Sequence, residues 1–103
     1  MSLNNENFQS ILKNINELLK LGAKNRNHSF HTPVYSTYNK KNFISSRVVV
    51  LRKYECDPLT LFFHTDMRSP KILELKDNTH SNFIFYDYKL KLQLRIRTIT
   101  TIH

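Results

Sequence analysis

Three groups of residues have the types and spacing to do chemistry. The first is Arg68, Ser69 and Lys71, just ahead of the apolar residues Ile72, Leu73 and Leu75. Ser69 suits a helix N-cap, and Pro70 then falls at the first helical position. A helix start offers unpaired N–H groups and a partial positive charge. With a hydroxyl and two cations added, the cluster suits a phosphate monoester. A capped surface helix with solvated charges has the same signature. The second group is Arg47 and Arg52, which bracket Val48, Val49, Val50 and Leu51. Cations beside so apolar a run need an anion or a route to solvent. The third group is Gln93, Arg95 and Arg97, alternating with Leu92, Leu94 and Ile96. The Gln93 amide both donates and accepts, so it could bond a heterocycle edge. An exposed strand face would show the same alternation.

The elements that must position these groups follow from periodicity. Phe8, Ile11, Leu12, Ile15, Leu18 and Leu19 recur at helical spacing, which predicts an amphipathic helix over 6–20. Gly22, the only glycine, stands where a helix commonly stops. Residues 23–32 read as a polar loop. Strands are expected over 34–38, 43–54, 59–64, 82–88 and 90–97, with turns at 39–42 and at Asp57-Pro58. The run Val48 to Leu51 reads as part of a strand buried on both faces. A short helix ending near Asp77 separates the third strand from the fourth. Helix, three strands, short helix, two strands: such an order favours an antiparallel sheet or barrel.

Bulk properties narrow the partners. The chain has 103 residues, which suits one domain with a modest core. Its hydrophobic fraction is 40%, with seven Phe and five Tyr, enough for a folded protein. No apolar run approaches a membrane span, the first residues lack a signal-peptide core, and Cys56 is the only cysteine. A cytoplasmic location and a structural Cys56 are expected. The formal charge of +8 favours anionic partners. A nucleic-acid-binding module is the rival reading, since Phe83, Phe85, Tyr86 and Tyr88 could stack on bases. Their alternation with other residues fits a barrel strand at least as well. His28 and His31 have no second pair at metal-site spacing.

Four motifs, in order, carry a family resemblance. Arg47-Val-Val-Val-Leu-Arg52 resembles the R-x-V-x-L-(K/R) strand of pyridoxamine-phosphate-oxidase-like flavoproteins. The stretch Phe63, His64, Thr65, Asp66, Arg68, Ser69 and Lys71 resembles the family's next motif. Phe85-Tyr86-Asp87 and Gln93-Leu94-Arg95 resemble the two that follow, and Phe30-His31-Thr32-Pro33 resembles the approach to the first strand. The resemblance runs from about residue 28 to the end and is nearest to relatives distinct from the true oxidases.

The resemblance implies a mainly β (α+β) fold: an antiparallel split β-barrel of the FMN-binding type. It would form one domain over 1–103, with an N-terminal helix in 1–24 and barrel strands in 33–103. The cofactor would be FMN, at a homodimer interface, in a flavin-dependent oxidoreductase. Arg47, Lys71, Ser69 and the neighbouring Arg68 would lie near the FMN phosphate. Val48, Val49, Val50 and Leu51 would run along the flavin, with His64 and Thr65 in contact and Gln93 bonded to its ring. Arg52 would reach toward the phosphate of a small substrate. Two positions depart from the pattern: Pro70, where the oxidases have a basic residue, and Thr98, where many relatives have glycine. The chain also stops short of the usual family length. A non-catalytic flavin-binding or dimerisation module is therefore the alternative, and the barrel could be incomplete.

Overall fold

The structure, a computed structural model, describes residues 5–38, 43–64 and 80–101. Helix α1 spans Asn5–Lys24, and a single 3-10 turn follows at Ser29–His31. Six strands come next: β1 (Val34–Tyr38), β2 (Ile44–Val48), β3 (Leu51–Cys56), β4 (Leu59–Phe63), β5 (His80–Asp87) and β6 (Leu92–Ile99). All pairings are antiparallel. Four strands form one sheet in the order β2-β1-β5-β6, and β3-β4 form a second. Among the described residues the architecture is mainly β with one N-terminal α-helix, and their strands do not close a barrel. The short helix expected after the third strand lies outside the described residues.

The four-stranded sheet has one inner and one outer face. Cross-strand partners share a face. The register therefore places Arg47, Tyr35, Phe83 and Ile96 in one row across all four strands. Tyr35, Phe83 and Phe85 on that side are buried. Period-two alternation puts Val48, Val34, Ile84 and Arg95 in a row on the opposite face. Phe63 of β4 closes over the inner face, its ring 4.7 Å from Tyr35 and 5.6 Å from Phe83. Phe30 packs 5.0 Å from Phe85. Leu19, Val49 and Leu51 complete this aromatic core. Burying each large apolar side chain contributes about 1.5–3 kcal/mol.

Helix α1 follows its predicted stripe only in part. Leu19 is buried and Ile15, Leu18 and Ala23 pack against the core, whereas Phe8, Ile11 and Leu12 remain half exposed. The Tyr54 hydroxyl donates to Asn16 Oδ1, tying β3 to the helix. Gly22 does not end α1, which continues to Lys24. It serves instead as a contact surface. A Cβ there would lie 2.6 Å from Phe30 Cβ and 2.8 Å from the Phe30 carbonyl carbon and oxygen. The stretch expected to be a plain loop thus contains the end of α1 and a 3-10 turn packed against it.

The second predicted strand, 43–54, is two strands in different sheets. The run Val48 to Leu51 is a corner rather than a strand buried on both faces. Val48 is 64% exposed, Val49 and Leu51 are buried, and Val50 is intermediate. At the corner, Val49 N–H donates to the Pro33 carbonyl, 3.0 Å away. Four consecutive apolar residues have no period, so nothing in the run itself marks the change of sheet. Cys56 is exposed at the end of β3, so it has no packing role of the kind expected. No helix among the described residues is long and apolar enough to cross a membrane.

Candidate functional site

Arg47 leaves β2 on the inner face, where it is half buried. Its Nη1 donates to Thr37 Oγ1 at 3.0 Å, to the Ser45 carbonyl at 3.3 Å and to the Tyr35 carbonyl at 3.4 Å. The guanidinium carbon lies 5.6 Å from the centre of the Tyr35 ring. Antiparallel register explains the arrangement: Arg47 opposes Tyr35 directly and Thr37 diagonally, on the same face. A long cation there reaches acceptors along its own sheet.

Gln93, Arg95 and Arg97 are exposed on β6, facing away from the core, while Leu92, Leu94 and Ile96 turn inward. The predicted division into a donor-rich and an apolar face holds. Leu90, expected to begin that strand, sits in the turn before it and is 61% exposed. Gln93 opposes Tyr86, which is 52% exposed. Arg95 opposes Ile84 and Arg97 opposes Asn82. An amide, an aromatic ring and a guanidinium thus stand together on the outer face. Those groups can stack on a planar ring, bond its polar edge and attract an anion.

The other expected site residues are dispersed. Val49 and Leu51 spend their side chains in the core, which leaves their backbone as the part a ligand could meet. Val48 points to the outer face. Arg52 is exposed on β3 at a register irregularity: Leu51 pairs with Phe63 and Lys53 with Phe62, leaving Arg52 as the extra residue. Such a bulge re-aims a side chain relative to its strand. His64 is exposed immediately after β4. Thr65, Arg68, Ser69 and Lys71 lie outside the described residues.

Asp87, part of one of the motifs, has a structural role here. Its Oδ1 accepts from the backbone N–H of Lys89 and Leu90 at 2.9 and 3.1 Å, and its Oδ2 accepts from Ser29 Oγ at 2.9 Å. The bond from Leu90 N–H lowers its pKa most; Ser29, Lys89 and the nearby His28 act the same way, against the opposing effect of desolvation. The carboxylate thus joins the β5–β6 turn to the 3-10 turn. Both histidines of that region are engaged locally. His28 Nδ1 accepts from Phe30 N–H at 3.0 Å, and His31 Nδ1 lies 2.7 Å from the Gly22 carbonyl oxygen. A hydroxyl cluster was not anticipated from the sequence. Ser81 Oγ lies 2.6 Å from Thr98 Oγ1 and 2.7 Å from Thr100 Oγ1, and Thr100 Oγ1 lies 2.7 Å from the Tyr35 hydroxyl. Isolated hydroxyl residues give no sequence signal that they will converge.

Of the four aromatics that could have stacked on bases, Phe83 and Phe85 are buried in the core. Only Tyr86 and Tyr88 face solvent, which weakens the nucleic-acid reading.

The residue types fit FMN in kind: a cation for a phosphate, an amide and an aromatic ring for a heterocycle. Among the described residues, Arg47 and the Gln93–Tyr86 pair do not converge within one chain. Three strand spacings, roughly 14 Å, separate β2 from β6, and the two sets occupy opposite faces.

The sequence matches, over residues 8–103, the family described as pyridoxamine 5'-phosphate oxidase, FMN-binding domain. No curated protein matches it. Among solved structures, the fold is similar to that of a pyridoxamine 5'-phosphate oxidase-related, FMN binding protein from Nostoc punctiforme PCC 73102. The TM-score is 0.71 at 20% identity, and the match covers 96% of this chain. The chain spans 47% of that protein's length.

Proposed function

We propose that this chain, which belongs to the pyridoxamine 5'-phosphate oxidase FMN-binding domain family, binds FMN in sites shared between two copies of itself. The observation that carries this reading is the placement of Arg47 and Gln93 on opposite faces of one sheet. If both contact one flavin, they do so from different chains. Arg47 of one copy, with Ser69, Arg68 and Lys71, would hold the phosphate. Gln93 of the other would bond the ring. The outer face supports a shared site because it carries exposed Ile44, Val48 and Ile99 beside its polar groups, an apolar surface that a second chain would cover.

Bound FMN supplies two-electron redox chemistry, and the protein's part is to hold and orient it. The full proposal is a flavin-dependent oxidoreductase of the cytoplasm. Arg52, re-aimed by its bulge, would attract a small phosphorylated substrate. A non-catalytic flavin-binding or dimerisation module is the second reading.

The test is complementation between variants. Purified protein is incubated with FMN and desalted, and retained flavin is read from its visible absorption. Arg47→Ala and Gln93→Ala should each lose flavin. Co-refolding the two variants should restore a fraction of it, because one site in each mixed dimer then receives an intact Arg47 and an intact Gln93. If the mixture stays colourless although both variants fold and dimerise, the shared site is wrong. If neither substitution alone releases flavin, the cofactor lies elsewhere.

A further inference from the structure

We infer that Thr37 is the positioning residue for the Arg47 guanidinium, and so sets the preference of the site for a phosphorylated over an unphosphorylated ligand. This rests on the reading of Arg47 as a phosphate contact. Thr37 is 2% exposed, one of two buried polar or charged residues identified among the described residues; the other, Asp87, fastens a turn. Thr37 belongs to no motif singled out in the sequence.

The geometry gives Thr37 its role. Among the described residues its Oγ1 makes the shortest contact to Arg47 Nη1, at 3.0 Å against 3.3 and 3.4 Å for two backbone carbonyls. A guanidinium is planar, so fixing one terminal nitrogen restricts the plane of all its donors. The Tyr35 ring limits the guanidinium on one side. Bidentate recognition of a phosphate depends on that plane. Thr37 is itself β-branched in a strand and has restricted side-chain freedom. Its hydroxyl is therefore a rigid fixture on which a long, flexible cation is set.

The experiment compares Thr37→Val, Thr37→Ser and Arg47→Ala with the unsubstituted full-length protein, using FMN and riboflavin as probes. Binding is read from quenching of flavin fluorescence, and folding from thermal melts. Valine keeps the branched shape without the hydroxyl; serine keeps the hydroxyl. Thr37→Val should weaken FMN by about tenfold, the scale of one hydrogen bond to a charged group. Riboflavin affinity should stay unchanged, and Thr37→Ser should recover most of the FMN affinity. Equal losses for FMN and riboflavin would make Thr37 a merely structural residue and overturn the inference. So would an unchanged FMN affinity in Thr37→Val while Arg47→Ala loses it. An Arg47→Ala variant that keeps its preference for FMN over riboflavin would overturn the phosphate role of Arg47, and the role of Thr37 with it.

Discussion

Arg47 and Gln93 stand at the two flanks of one four-stranded sheet and on its two different faces, the first among the aromatic core residues and the second toward solvent. Neither residue can approach the other by a change of rotamer. Any ligand that needs both must be met by more than one chain surface.

Gly22 provides the sharpest packing prediction. A methyl group at this position meets the Cβ, carbonyl carbon and carbonyl oxygen of Phe30, all nearer than 3.0 Å. Phe30 is fully buried and in contact with Phe85, so it has little room to retreat. Gly22→Ala should destabilise the fold by about 1–3 kcal/mol, as overpacking usually does. A thermal melt or urea titration checks it. An unchanged midpoint would mean that α1 and the 3-10 turn can slide apart without loss.

Asp87 predicts an acid response. Its folded pKa lies below the ordinary carboxylate value because its charged form is hydrogen bonded, chiefly by Leu90 N–H. A group with a depressed folded pKa stabilises the fold above its unfolded pKa, and that contribution disappears as pH falls through the folded value. The loss should therefore occur on the acid side of the usual carboxylate range. Asp87→Asn should melt at a lower temperature near neutrality and lose less on acidification. Melting temperatures measured between neutral pH and strong acid, for both proteins, test the sign. Parallel curves would remove Asp87 from the acid response.

Lys91 is the described non-glycine residue with positive φ, at 51°, in the turn between β5 and β6. An L-residue in that region is strained, and glycine is not. Lys91→Gly should raise stability by about 0.5–1 kcal/mol, after allowing for the greater freedom glycine gives the unfolded chain. Chemical denaturation would measure the gain. A loss would show that the Lys91 side chain contributes more than its backbone costs.

Regular periodicity made most elements legible. The stripe of Phe8 through Leu19 marked α1, and the Leu92-Leu94-Ile96 alternation marked β6 together with the outward placement of Gln93 and Arg95. What the sequence concealed was the corner at Val49 and Val50. There, a continuous apolar run hid a break between two sheets. Gly22 was misread for a related reason. A glycine near the end of a helix can be a stop or a close contact, and only its neighbour in space, Phe30, distinguishes the two. At the site, residue types suggested a phosphate and a heterocycle as ligand parts, an expectation that stays part of the proposal. Its partition between two faces was not legible, because faces depend on the strand count between residues. The hydroxyl groups of Ser81, Thr98, Thr100 and Tyr35 were invisible for the same reason: residues far apart in the chain meet only after pairing is set.

The division between β2-β1-β5-β6 and β3-β4 reaches beyond architecture. Among the described residues, no strand pairing links the two sheets, and the join is made by the Val49 to Pro33 bond and by side chains such as Phe63 against Tyr35. Joins of this kind allow parts of a protein to open as separate cooperative units. The β3–β4 hairpin is then expected to exchange its amide hydrogens by an opening that leaves the four-stranded sheet protected. Arg52 and the corner at Val49 would move with that opening, whereas Gln93 would not, so one half of the proposed ligand surface would breathe while the other stays fixed.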